Sequence, residues 1–185
     1  MNAKSIVPPS PQPSSPITRR QFLAGTGVAA ASFTILAPET SQGAETAARI
    51  NLGLIGCGGR GKWITDLFVK HGGYSIAAVF DYFPERAQEA GEKFGVPAAN
   101  RYTGLNGYKR LLEQKGVDAV AIESPPYFHP EQAAAAVDAG KHVYLAKPVA
   151  VDVPGCQTVA QSGQRATAKR LVFLADFQTR AHPAY

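Results

Sequence analysis

Gly56-Cys57-Gly58-Gly59-Arg60-Gly61 places three glycines at a spacing that serves one chemistry, the holding of a diphosphate by main-chain amides. Gly56 lets the chain turn sharply. Gly58 has no Cβ, so an anion can come close to the backbone. Gly61 lets a helix lie near the strand that precedes it. Amides in a first helical turn have no intrahelical acceptor and sit at the positive end of the helix dipole, so they favour phosphate.

Such a turn works only between a strand and a helix. Ile50-Asn51-Leu52-Gly53-Leu54-Ile55 reads as a buried strand, and Trp63, Ile64, Leu67 and Phe68 fall on one face of an amphipathic helix. A second apolar run, Ile76-Ala77-Ala78-Val79-Phe80, ends on Asp81, twenty positions beyond Gly61. Strand, G-x-G-x-x-G, helix, strand and terminal acid together form the dinucleotide-binding fingerprint. Asp81 would accept hydrogen bonds from an adenosine ribose and repel a 2′-phosphate. NAD is therefore the expected cofactor, with NADP possible because Arg86 softens the preference.

The rest of the chain alternates. Pro84 suits a first helical position, Ala87, Ala90, Gly91 and Phe94 keep helical spacing, and Gly95 stops the run. A short strand is expected at 100–103, and a helix with Tyr108, Leu111 and Leu112 ends by Gly116. A strand at 117–122 leads to a helix from Pro130 that buries Ala133, Ala136 and Val137 and stops at Gly140. His142–Leu145 is the next strand, Asp152 caps a helix carrying Cys156, Val159 and Ala160, and 171–175 is the last strand. This rhythm predicts an α/β fold, a Rossmann-type doubly wound parallel sheet with helices on both faces. In such a sheet the ligand lies outside the carboxyl ends of the strands. Those ends are Gly56 to Gly61, Asp81, Glu123-Ser124-Pro125-Pro126 and Ala146-Lys147-Pro148.

Two prolines stiffen the turn that starts at Ser124, so Ser124-Pro125 can lie along a nicotinamide ribose. His129 precedes Pro130 at the start of a helix, where it either contacts cofactor or substrate or serves as a cap. Lys147, followed by Pro148, has two chemical uses at the mouth of the sheet. It can bind the substrate hydroxyl that loses its proton, or hold the nicotinamide; the plainer alternative is an exposed turn lysine.

Composition removes other classes. The chain has 185 residues and a net charge of +5, with no basic run, so nucleic acid is not an expected partner. No residues have the spacing of a metal site. Cys57 and Cys156 are expected to be free thiols, because a bond between them would constrain the turn that holds the ligand. Residues 1–48 form a leader. Five prolines between Pro8 and Pro16 precede Thr18-Arg19-Arg20-Gln21-Phe22-Leu23, then a mildly apolar stretch from Ala24 to Leu36. This order matches a twin-arginine signal peptide and predicts a periplasmic or otherwise exported protein. The stretch of 13 residues is shorter than the ~20 needed to span a bilayer, so no stable membrane anchor is expected. That pathway carries folded proteins, so the cofactor would be loaded before export.

Leu54-Ile55-Gly56-Cys57-Gly58-Gly59-Arg60-Gly61, then Ser124-Pro125 with His129, then Gly140-Lys141-His142-Val143 leading to Lys147-Pro148, resemble the glucose–fructose oxidoreductase, inositol dehydrogenase and rhizopine-catabolism family (Gfo/Idh/MocA). The resemblance runs from Arg49 to Tyr185. It implies that residues 49–176 are an NAD(P)-binding Rossmann domain, with 177–185 the start of a C-terminal α/β substrate domain that is largely absent. It also implies an oxidoreductase that moves hydride between nicotinamide and a sugar or polyol, with Lys147 as a catalytic or cofactor contact. The family pattern is Glu-Lys-Pro where this chain has Ala146-Lys147-Pro148. The alternatives are an NAD-dependent glycosidase of the same family and a non-catalytic dinucleotide-binding module.

Overall fold

The computed structural model describes residues 49–177. The leader with its arginine pair lies outside the described residues, as does the tail from Gln178. Six parallel strands form one sheet: β1 (Ile50–Ile55), β2 (Tyr74–Asp81), β3 (Arg101–Thr103), β4 (Ala119–Ile122), β5 (His142–Leu145) and β6 (Phe173–Ala175). Their spatial order is β3-β2-β1-β4-β5-β6. The chain therefore winds outward from β1 to one edge, returns, and winds from β4 to the other. The crevice opens where that direction reverses, between β1 and β4.

Five helices cover the sheet: α1 (Gly59–His71), α2 (Pro84–Lys93), α3 (Gly107–Leu112), α4 (His129–Asp138) and α5 (Val153–Ala168). Leu111, Ala133, Ala136, Val137, Val159 and Ala166 bring α3, α4 and α5 onto one face, over Ile55, Val120, Ile122 and Leu145. On the other face, Phe68 of α1 and Ala90 of α2 meet Leu52, Leu54, Val79 and Ala121. Both faces of β1 are thus buried, which is why its sequence is an apolar run and not an alternation. Each such fully buried aliphatic side chain contributes about 1.5–3 kcal/mol.

Several element bounds are shorter than the sequence pattern predicts, each for a local reason. Residues 98–100 form a 3₁₀ turn, so β3 starts only at Arg101. The Asp118 carboxylate accepts from the Asn51 N–H at 2.8 Å and so joins β1 before ladder pairing begins at Ala119. Leu171 donates its N–H to Ala166 at 2.8 Å to close α5, which delays β6 to Phe173. The helix α3 stops at Leu112, ahead of Gly116. Buried Lys141 gathers the chain that follows it, donating from Nζ to the carbonyls of Gln114 (2.8 Å) and Val117 (2.7 Å).

The amphipathic face of α1 also divides. Ile64 is buried and Phe68 packs edge-on against Tyr74 and Tyr144, whereas Trp63 and Leu67 are nearly half exposed. One residue along a helix turns a side chain through about 100°, which carries Trp63 and Leu67 off the sheet. At the sheet edge, Val172 just before β6 and Leu174 within it are exposed as well.

Candidate functional site

The site begins where β1 ends. Gly56 continues the ladder with an N–H to Phe80 carbonyl bond of 2.8 Å, then turns the chain at φ +99°. That conformation suits glycine alone. A Cβ there would also lie 2.5–2.8 Å from backbone atoms of Glu123 and Ser124, so the turn presses directly on the end of β4. Cys57 follows, wholly buried, with its thiol donating to the Phe80 carbonyl at 3.3 Å. Burial first, and the nearby Asp81 carboxylate second, push that thiol up to about 12. Cys57 is therefore enclosed as a packing residue of the turn, and its side chain does not line the cleft. Exposed Cys156 is also free.

Gly58 precedes α1, whose first turn has neither a side-chain cap nor an acidic residue. Gly58 and Gly59 line a cleft of about 730 Å³ that extends from Asp81, across Gly56 to Gly61, to Ser124 and Pro125. A Cβ on Gly58 or Gly59 would meet nothing within 4 Å, whereas one on Gly61 would fall onto the Gly56 carbonyl oxygen. Space is thus open in front of the turn and closed behind it. A diphosphate fits that arrangement, since it would occupy the open side against first-turn amides.

Asp81 lines the same cleft and is 6% exposed. Its Oδ2 accepts from the Cys57 N–H at 2.8 Å and its Oδ1 from the Phe83 N–H at 3.0 Å. The carboxylate therefore ties the glycine turn to the end of β2. Each oxygen has a second lone pair for a ribose hydroxyl. Beyond it stand Tyr82, Phe83 and Leu105, all strongly exposed, with the Arg86 guanidinium 4.9 Å over the Phe83 ring. Sequence reasoning passed over these three apolar residues. The available signal was a pair of aromatics directly after a strand-terminal acid, where a core residue has no reason to be.

On the β4 side, Ser124 and Pro125 line the cleft, and the Ser124 hydroxyl donates to Gln132 Oε1. His129 lies beneath them, 1% exposed. Its Nε2 is 2.8 Å from the Ser124 carbonyl and its Nδ1 2.9 Å from the Pro148 carbonyl. The imidazole staples the turn after β4 to the turn after β5 and is not on the cleft wall. Burial holds it below its ordinary value, against the pull of the two carbonyls. His129→Ala is expected to destabilise the domain by about 2–4 kcal/mol, through a cavity and the loss of the one carbonyl bond that a neutral imidazole donates, seen as a lower thermal midpoint. Lys147 and Pro148 are exposed just past β5, outside the lining of this cleft.

Arg60 is the one charged side chain of the glycine turn. It reaches Glu123 at 3.2 Å and also pairs with Asp176, just past β6. The sequence reading did not include Asp176, which is 116 positions from its partner.

Comparison with known proteins agrees with this geometry. The family model described as an oxidoreductase family with an NAD-binding Rossmann fold matches residues 50–173. A glycosyl hydrolase family 109 protein of Stenotrophomonas maltophilia is 36% identical over 148 residues, covering 77% of this chain and 30% of that protein. An inositol 2-dehydrogenase of Salmonella paratyphi B is 35% identical over 100 residues, covering 54% of this chain and 28% of the enzyme. The chain thus spans under a third of the length of these relatives. Among solved structures, an NAD-binding oxidoreductase of Klebsiella pneumoniae superposes with a TM-score of 0.63 at 29% identity, covering 74% of this chain and 36% of that one. The 3-ketoreductase KijD10 of Actinomadura kijaniata, in complex with NADP, gives 0.62 at 28% identity, covering 73% and 39%. The parallel sheet, its glycine turn and these matches place the chain in the Gfo/Idh/MocA family of oxidoreductases, as its NAD(P)-binding Rossmann domain.

Proposed function

We propose that this chain is the cofactor half of an exported oxidoreductase acting on a sugar or polyol. The observation that carries the reading is the contrast within one turn: a Cβ at Gly61 has no room, and a Cβ at Gly58 has nothing near it. The nicotinamide supplies hydride transfer when bound. Gly58 and Gly59 hold the diphosphate with backbone, Asp81 takes the adenosine ribose, and Ser124-Pro125 supports the nicotinamide ribose. His129 fixes that turn relative to Lys147-Pro148. Lys147, exposed just past β5, then holds either the substrate hydroxyl or the nicotinamide. Relatives named inositol 2-dehydrogenase support a polyol substrate. Export rests on Arg19-Arg20 and the apolar stretch that follows.

Calorimetric titration of the purified, cofactor-stripped chain with NAD and NADP tests the reading. Heat with at least one of them is expected, and NAD should bind more tightly. No heat with either, from protein with intact secondary structure, would sink it. The glycosidase reading has support of its own in the Stenotrophomonas relative named for glycosyl hydrolase family 109. In a full-length protein, sugar released without net cofactor reduction would favour that reading over a dehydrogenase.

A further inference from the structure

Glu123 is the residue at the site with the least obvious purpose. It directly follows β4, its side chain is 0% exposed, and it borders the cleft under the glycine turn. An ionised carboxylate is costly to bury unless it is paired and hydrogen-bonded. Its Oε2 is 3.2 Å from Arg60 Nε, an ion pair, yet among the described residues neither Oε1 nor Oε2 accepts a hydrogen bond. The arginine is shared, since its other edge pairs with Asp176, itself 6% exposed. Tyr144, one strand over on β5, feels the charges of both Asp176 and Glu123. Among the described residues, the ionisable groups that face Glu123 are Arg60 from α1, Tyr144 from β5 and Asp176 from the segment after β6. With both acids ionised, the cluster carries one negative charge in excess, beside the seat proposed for a diphosphate.

We propose that Glu123 is a positioning residue for cofactor binding: with Asp176 it holds Arg60 at the start of α1, and it takes a proton from solvent when a diphosphate occupies the turn. This rests on the reading of the cleft as a dinucleotide site. Protonation removes the excess negative charge while Asp176 keeps its pair with Arg60. Burial, aided by Asp176 and opposed by Arg60, pushes the Glu123 carboxyl up to about 7, so the proton is available near neutral pH. The sign follows from linkage. An anion binds better to the protonated form, so cofactor affinity is high on the acid side of the Glu123 pKa and falls as pH rises through it.

The strand register also sets Glu123 beside Ala146. Ile122 pairs with Leu145 in the β4–β5 register, and the Ala146 N–H donates to the Ile122 carbonyl at 3.0 Å. Glu123 and Ala146 are therefore the next residues along adjacent strands. A carboxylate on either one starts from the same edge of the sheet.

The test is calorimetric titration of the whole chain with NAD at pH 6 and pH 8.5, in two buffers of different ionisation heat. Wild type is expected to bind about three- to tenfold more tightly at pH 6 and to take up a fraction of a proton near pH 7. Glu123→Gln should bind at pH 8.5 about as wild type does at pH 6, with no proton uptake. Asp176→Asn should move the midpoint of the pH dependence to lower pH, which keeps the idea testable if Glu123→Gln does not fold. Glu123→Gln that retains the wild-type pH dependence overturns the inference. So does a uniform loss of affinity at both pH values, the mark of a merely structural role. Absence of binding by wild type at either pH would instead overturn the dinucleotide reading.

Discussion

Gly61→Ala is expected to leave little folded protein, and Gly58→Ala to leave folded protein that has lost NAD. The two changes add the same methyl group three residues apart. At Gly61 the new Cβ falls on the Gly56 carbonyl oxygen and lies 3.1 Å from the carbon behind it. Neither partner is a flexible side-chain tip. The Gly56 turn is pinned by its bond to Phe80 and by the Cys57 bond to Asp81, so it cannot yield without breaking the β1–β2 connection. Ordinary overpacking costs about 1–3 kcal/mol, and a clash with fixed backbone exceeds that range. Against a total stability of about 5–15 kcal/mol, this is enough to depress the thermal midpoint severely. At Gly58 the backbone sits at φ −66° and ψ −176°, open to any residue, and no atom lies within 4 Å of the added carbon. Stability should move by less than about 0.5 kcal/mol. NAD affinity should fall at least tenfold, about 1.4 kcal/mol, because the methyl stands where the diphosphate must approach. Circular dichroism melts and NAD titrations on the two variants separate these outcomes. A Gly58→Ala protein that binds NAD like wild type would show that the diphosphate does not lie against this turn.

The same contrast marks what the chain discloses as a string. The glycine turn, its flanking strand and helix, Asp81 and the parallel sheet were all legible, because each depends on residues close in sequence. Spacing between glycines reports a local backbone requirement, and punctuation by Gly95 and Gly140 reports helix ends in the left-handed region. The Arg60 cluster was not legible in that way. Its members lie on α1, after β4 and after β6, and only the strand order brings them together. His129 was half legible. Its place at a helix start was visible, but not that its two nitrogens reach turns after different strands. Trp63 and Leu67 were misplaced onto the buried face of α1, because periodicity shows which residues share a face but not how wide a stripe the sheet covers. Tyr82, Phe83 and Leu105 escaped because apolar residues in a turn carry no periodic signal at all.

Asp81→Ala is expected to have the second large effect, and its meaning lies in a comparison of two ligands. The carboxylate holds the Cys57 and Phe83 amides, so its loss orphans two backbone donors at the floor of the cleft. Leaving buried donors unpaired costs about 1–3 kcal/mol each, so stability falls and both cofactors bind less well through the loosened turn. That shared loss is the structural part. Beyond it, NAD should lose the acceptor for its ribose hydroxyls, whereas NADP should gain by losing the repulsion at its 2′-phosphate. The ratio of NAD to NADP affinity should therefore fall by about tenfold, which is about 1.4 kcal/mol. Arg86, beside the Phe83 ring, remains to receive the phosphate once the acid is gone. Asp81→Asn serves as the control for folding, since it keeps one acceptor for the turn while removing the charge. If both variants weaken the two cofactors equally, Asp81 acts only through the turn, and the preference must come from the exposed wall of Tyr82, Phe83 and Arg86.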